Sequence, residues 1–413
     1  MILAALAAAG AVLGGAGHPA CVEALCGAGA LSPYFDALEA RRSIDGAPPV
    51  HILQIGDSHS AGDSITGAWR DILQARFGYG GRGVMPPGKP FIGFLPHGVH
   101  VDQSDGWRVE AIFGKGLAPS DEGAVFGVSG FRLTSLRDGA DIALTAEPQA
   151  EFNRLVVCAV TAPGAGGYVV NLGPVVTRVS LAGPPGTTCR SFAAPTRQVS
   201  ATLTTEGGPV TLLSWASFTG AGGVVVSNLG VVGSQLRHFD RTNDKAVAEE
   251  LRAYAPDLIV LAFGTNEGFV EHFDSRDYEY VLRGQIVRLK RLSQGAPILL
   301  LGAPDADTDR PDLLHNADPS GGYGGGYGGA WFPPPALAQV RAIQRRVAQS
   351  EGVAFWDWSA RMGGPGTADR WANMDPPRMR RDRVHYTLTG GAEIARLLQA
   401  DLDQAEAASA PAR

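Results

Sequence analysis

Near-continuous apolar runs that stop at glycine and give way to helical patterns constrain this chain most. Val50-His51-Ile52-Leu53-Gln54-Ile55 runs into Gly56, ahead of a helix expected from about Ala61 to Phe77. Asp257-Leu258-Ile259-Val260-Leu261-Ala262-Phe263 runs into Gly264, with a helix expected from about Asp277 to Ser293. Pro297-Ile298-Leu299-Leu300-Leu301 and Val353-Ala354-Phe355-Trp356 repeat the theme, with a helix expected over Pro334–Gln349 between them. A strand that is apolar on both sides must be covered on both faces, and alternation with helices supplies that cover in a parallel sheet. The expectation is a three-layer α/β fold.

Between about Lys89 and Val225 the pattern changes. Short β-prone runs such as Arg154-Leu155-Val156-Val157-Cys158 and Val210-Thr211-Leu212-Leu213-Ser214-Trp215 are broken by Gly and Pro, which reads as an all-β sandwich or barrel. The expected organisation is a signal-like segment at 1–20, an α/β domain in two parts at 21–88 and 226–404, an inserted β-sandwich-like domain at 89–225, and a frayed tail at 405–413. The low-complexity stretch Gly321–Gly329, next to Ala330-Trp331-Phe332, reads as a flexible connector or an aromatic lid.

The chain has 413 residues, enough for two or three units of ordinary domain size. Its 41 Asp and Glu outnumber its 35 Lys and Arg, so there is no basic field for nucleic acid or an anionic membrane. The opening MILAALAAAGAVLGGAGHPA resembles a secretory apolar region without its basic start, and no later segment reads as a membrane span. The expected location is periplasmic or extracellular. In an oxidising compartment, local pairing of the four cysteines would join Cys21 to Cys26 and Cys158 to Cys189; buried free thiols are the alternative for the second pair.

Ser58, in Gly56-Asp57-Ser58-His59, stands where the first apolar run meets a helix. In an open parallel sheet that end of the strand borders the ligand crevice, and helix amides there favour developing negative charge. Asp382-Arg383-Val384-His385 precedes the last amphipathic helix and could supply an imidazole base with its orienting carboxylate. Asn228-Leu229-Gly230-Val231-Val232-Gly233 and Gly264-Thr265-Asn266-Glu267 each follow an expected strand. Gly233 could offer a backbone N–H and Asn266 a side-chain amide to an oxyanion.

In this order the four blocks resemble the SGNH/GDSL hydrolase superfamily. The resemblance implies a flavodoxin-like hydrolase domain in which Ser58 is the nucleophile, His385 the base, Asp382 its partner, and Ser58, Gly233 and Asn266 the oxyanion donors. The first block departs from GDSL by carrying His59. Its continuation Ser60-Ala61-Gly62-Asp63, with Gly78-Tyr79-Gly80-Gly81-Arg82-Gly83, is similar to bacterial peptidoglycan O-acetylesterases, which are exported and also carry a β-sandwich insert. This implies a cofactor-free carbohydrate O-acetylesterase acting through an acyl-enzyme on an O-acetylated polysaccharide. Trp107, Trp331 and Phe332 are candidate sugar-stacking aromatics. Three alternatives stay open: an O-acetyltransferase or short-chain esterase of the same fold, a non-catalytic glycan-binding protein, and a metal enzyme using His97, His100 and Asp102 or Asp305, Asp307 and Asp312.

Overall fold

The computed structural model describes residues 21–41, 44, 46–114, 123–220, 222–309 and 331–409. The signal-like segment and the glycine–tyrosine stretch lie outside them. Five strands run parallel, in the sheet order Val224–Gly230, Val50–Gly56, Leu258–Ala262, Ile298–Leu301, Ala354–Trp356. In chain order this is 2-1-3-4-5, the doubly wound arrangement whose ligand crevice opens where the order reverses, at the carboxyl ends of the first and third strands. The three-layer α/β expectation holds.

All seven residues of Val50–Gly56 are buried, as are all five of Leu258–Ala262, because helices cover both faces. One face packs Trp69 and Leu73 of the Ser64–Phe77 helix with Ile394, Leu398 and Leu402 of the Leu388–Ser409 helix. The other face is covered by the helices Asp244–Tyr254, Ser275–Leu292 and Leu337–Glu351. A hairpin of Cys21–Val22 and Leu25–Cys26, closed by a Cys21–Cys26 disulfide, adds an antiparallel edge beside Ala354–Trp356. The tail expected to fray at Ala405 is instead helical to Ser409, and Ala405 is fully buried where that helix packs on the sheet.

The inserted region is a sandwich of two antiparallel sheets. One runs Val175–Ser180, Gly167–Leu172, Ser200–Glu206, Asp141–Ala146, Val99–Gln103. The other runs Gly186–Gln198, Phe152–Thr161, Thr211–Phe218, Phe131–Ser135, Trp107–Ala111. Gly83–Met85, on the hydrolase side of the expected boundary at 89, pairs with Thr211–Phe218. Val224 and Val225, assigned from sequence to the insert, belong to the parallel sheet. Cys158 and Cys189 face each other on neighbouring strands and form the second disulfide.

The two units share a core. Val156, Cys158, Ala216 and Phe218 of the sandwich pack in one buried cluster with Leu251, Tyr254 and Leu53 of the α/β unit. That is why Leu155-Val156-Val157-Cys158 reads as a continuous apolar run: one face meets the opposite sheet and the other meets the Asp244–Tyr254 helix. At this seam Glu250 is fully buried, accepting hydrogen bonds from the Ser214 hydroxyl and the Val128 amide.

Candidate active site

The first parallel strand ends at Gly56, and Asp57 caps a single helical turn, Ser58–Ala61, by accepting the His59 amide N–H. Ser58 is thereby the first residue of a helix, where the backbone N–H is not used by the helix itself. The turn lies hard against the second strand. A Cβ on Gly230 would stand 2.1 Å from the Ala61 nitrogen and 2.5 Å from the Asp57 oxygen, so only glycine fits. Asn228 donates to the Ser60 carbonyl at 2.8 Å, and Asn228 in turn accepts from buried Arg82 at 2.7 Å. Arg82 and Arg70 both bond the buried Asp63 carboxylate, which they hold well below the usual range although burial opposes it.

Ser58 Oγ lies 2.9 Å from His385 Nε2, and His385 Nδ1 lies 2.9 Å from Asp382 Oδ2. The other Asp382 oxygen accepts the Val384 and His385 amide N–H groups at 3.0 and 2.9 Å. Burial pushes the Asp382 carboxyl up, but the His385 hydrogen bond and these two amides outweigh it and hold Asp382 well below the usual carboxylate value. A carboxylate at Nδ1 fixes the tautomer that leaves Nε2 free to accept a proton from the serine. The sequence-predicted serine, histidine and aspartate, drawn from opposite ends of the chain, are therefore joined in one hydrogen-bonded row with His385 in the middle.

Asn266 reaches the same place from the end of the third strand. Its Nδ2 donates to the Ser234 carbonyl at 2.9 Å and lies 3.4 Å from Asp57 Oδ2, a long contact that leaves one N–H weakly engaged. Gly233, at φ 75°, forms the turn before Ser234, and Val231 at its start donates to the Gly56 carbonyl. Phe113, at the end of an insert strand, lies against Gly233 and stacks on His238 at 4.3 Å. Burial pushes His238 down to about 4, so its neutral ring accepts the Gln235 amide and stiffens the turn.

Residues 198–392 match the GDSL-like Lipase/Acylhydrolase family. The fold is similar to a solved peptidoglycan O-acetylesterase, with a TM-score of 0.74 and 25% identity, covering 92% of this chain and 97% of that one. In sequence over residues 198–392 and in fold the chain is similar to the SGNH/GDSL hydrolase superfamily. It is a carboxylic ester hydrolase by class. The family match takes in Gly233, Asn266, Asp382 and His385 and begins after Ser58, which lies across the insert. Weaker likenesses include an acetyl xylan esterase (17% identity, TM-score 0.30, 43% of this chain and 80% of that one). A family two carbohydrate esterase from Cellvibrio japonicus is similar at 14% identity and TM-score 0.27, over 75% of this chain and 98% of that one. No curated protein matches the chain.

The three aromatics expected to stack on sugar divide in this hydrolase. Trp331 is half-buried with the Arg383 guanidinium 4.1 Å from its ring, so it sits on the Asp382–His385 loop. Phe332 is tied beside it by backbone bonds to Thr308. Trp107 is partly buried: it packs against the sandwich core and its indole N–H donates to the Asp141 carbonyl. Of the metal candidates, His100 pairs with Asp102 at the surface, while Asp305 and Asp307 accept the Ala368 and Asp369 amides. Burial, with the Asp305 charge, pushes Asp307 up to about 6. Asp312 lies outside the described residues. Among the described residues no group of three or more His, Cys, Asp or Glu could hold a metal ion. Sequence reasoning missed any role for Asp57, Phe113 and His59; the departure from GDSL at His59 was the one signal available.

Proposed function

We propose that this hydrolase is a serine-dependent carbohydrate O-acetylesterase of the cell envelope, acting on O-acetylated peptidoglycan or a similar polysaccharide. The observation that carries the reading is the unbroken contact from Ser58 through His385 to Asp382 at the sheet's switch point. Ser58 Oγ attacks the acetyl carbonyl carbon while His385 Nε2 takes its proton, and the charge formed on the carbonyl oxygen is met by the amides of Ser58 and Gly233 and by Asn266. His385 then gives that proton to the departing sugar oxygen. Water, deprotonated by His385, attacks the acyl carbon; the Ser58 Oγ–carbon bond breaks, His385 returns the proton to Ser58 Oγ, and acetate leaves.

An acetyl group offers little surface, so binding energy must come from the sugar side. A groove of about 740 Å³ runs between Gly62–Ser64 and Leu388 on the hydrolase and the insert loop Lys89–His97; neither Ser58 nor His385 lines it, and we assign it to sugars beyond the reacting one. The similarity to a peptidoglycan O-acetylesterase supports the substrate class. The two disulfides suit an oxidising compartment, which supports export. Among the described residues no helix is long and apolar enough to cross a membrane.

The test is acetate release from acetylated peptidoglycan, acetylated xylan and a longer acyl ester in parallel, with Ser58→Ala as control. Preference for the acetylated glycans, with loss of about a thousandfold or more in the variant, is expected. Activity within about tenfold of wild type in Ser58→Ala would refute the triad, since removal of a triad nucleophile costs orders of magnitude.

A further inference from the structure

The residue that follows the nucleophile is enclosed on every side. The His59 side chain is 3% exposed, with the rings of Trp358, His385 and Tyr386 at 5.6, 5.7 and 5.6 Å. Both ring nitrogens meet oxygen. Nε2 lies 2.8 Å from the Val384 carbonyl and Nδ1 lies 3.2 Å from Asp57 Oδ1.

A carbonyl only accepts, so Nε2 must carry a proton. Asp57 already acts as an acceptor on both oxygens, toward the His59 amide at 2.9 Å and toward Asn266 at 3.4 Å. A neutral ring with its proton on Nε2 would aim the Nδ1 lone pair at that carboxylate. The arrangement is satisfied when both nitrogens carry protons, in a buried ion pair that is neutral as a unit and adds no net charge beside His385.

We propose that His59 is a positioning residue, an imidazolium that ties the Val384 carbonyl of the base-bearing loop to the Asp57 carboxylate of the nucleophile turn. The inference rests on the reading of Ser58 and His385 as nucleophile and base. Val384 stands between Asp382 and His385, so a hold on its carbonyl fixes where the imidazole base points. Asp57 also touches Asn266, so one ion pair links the oxyanion side of the site to the base side. Burial disfavours the charged ring, but the Asp57 charge and hydrogen bond, the Val384 carbonyl and the Asp382 charge outweigh it and hold His59 above the ordinary imidazole value. The groups facing the ring are Asp57 on its own turn, Asp382, His385 and Tyr386 on the loop, and Trp358 from the Trp358–Met362 helix.

Three full-length variants and one measurement on the wild type test this. A misplacement of about 1 Å costs on the order of a hundredfold in rate. His59→Phe, which keeps a ring and loses both donors, should lower kcat on a small acetyl ester by roughly that much with KM little changed. His59→Gln, which can still donate to Val384, should recover about tenfold of the loss and show no titration of its own. Asp57→Asn, which keeps the shape and removes the counter-charge, should lower kcat in the same direction. Nitrogen-15 NMR of the wild-type histidines should show both His59 ring nitrogens protonated at neutral pH, with kcat falling on the alkaline side where that signal titrates. A neutral His59 at pH 7, or His59→Phe within twofold of wild type in kcat while Ser58→Ala is dead, would overturn the positioning role and leave the triad standing. An active Ser58→Ala would overturn the triad itself. Should His59→Phe fail to fold, the wild-type NMR and Asp57→Asn decide.

Discussion

Glu250 gives a prediction whose size follows from its surroundings. It is buried between the Asp244–Tyr254 helix and the sandwich, bonded to Ser214 and Val128, and Ser214 is bonded onward to Tyr254. Burial pushes its carboxyl up from 4.5 to about 7, against the pull of those donors. The folded protein therefore keeps a proton that the unfolded chain has lost between about pH 4.5 and 7. Stability from this group is fully present below the unfolded value and is lost as pH rises through the folded one. At about 1.36 kcal/mol per pH unit the rise is worth roughly 3 kcal/mol. Glu250→Gln imitates the protonated acid and cannot ionise. Urea unfolding at pH 5 should find the variant close to wild type, and at pH 8.5 more stable by up to about 3 kcal/mol. Glu267 and Asp307, also pushed up, slope the same way in both proteins, so the difference isolates Glu250. A variant less stable by the same amount at both pH values would refute the reasoning, because it would mean that an ionised Glu250 is what the seam requires.

Other outcomes can be measured directly. Gly230→Ala forces a methyl into the Ala61 nitrogen and the Asp57 oxygen; it should destabilise by about 3 kcal/mol and cut ester hydrolysis at least tenfold, and wild-type activity would show that the turn can yield. Ile92 projects fully exposed from the groove loop, so Ile92→Asp should lower turnover of acetylated polymer at least threefold more than that of a small ester; equal losses would detach the groove from polymer binding. Dialysis against a chelator should leave the rate unchanged, since Ser58, His385 and Asp382 make up a complete proton relay; loss restored by zinc or calcium would redirect attention to His97–Asp102 or Asp305–Asp307.

The parallel strands were legible because burial on both faces leaves an apolar run with no alternation, and the blocks at Ser58, Gly233, Asn266 and Asp382–His385 because each abuts a strand end or the last helix. The packing of Trp107 is legible in its strand: Trp107, Val109 and Ala111 alternate, and all three pack against buried clusters. Glu250 looks like one more surface acid in Ala248-Glu249-Glu250-Leu251, and only the sandwich above it reveals its burial. His59 is legible as a departure from the GDSL pattern, but its partner Val384 is 325 residues away, a contact that no local pattern encodes.

The strand that carries Ser58 lies mid-sheet, between two strands that both come after the sandwich in the chain, and the base comes later still. A ribosome therefore delivers Ser58 long before either strand that will flank the one leading to it. Contacts of such long sequence separation form slowly, and the early strand stays without its partners while the insert is made. A chain cut anywhere before His385 has a serine without its base. The contact between Ser58 and His385 is in this way a property of the finished polypeptide and of no shorter piece that synthesis makes on the way to it.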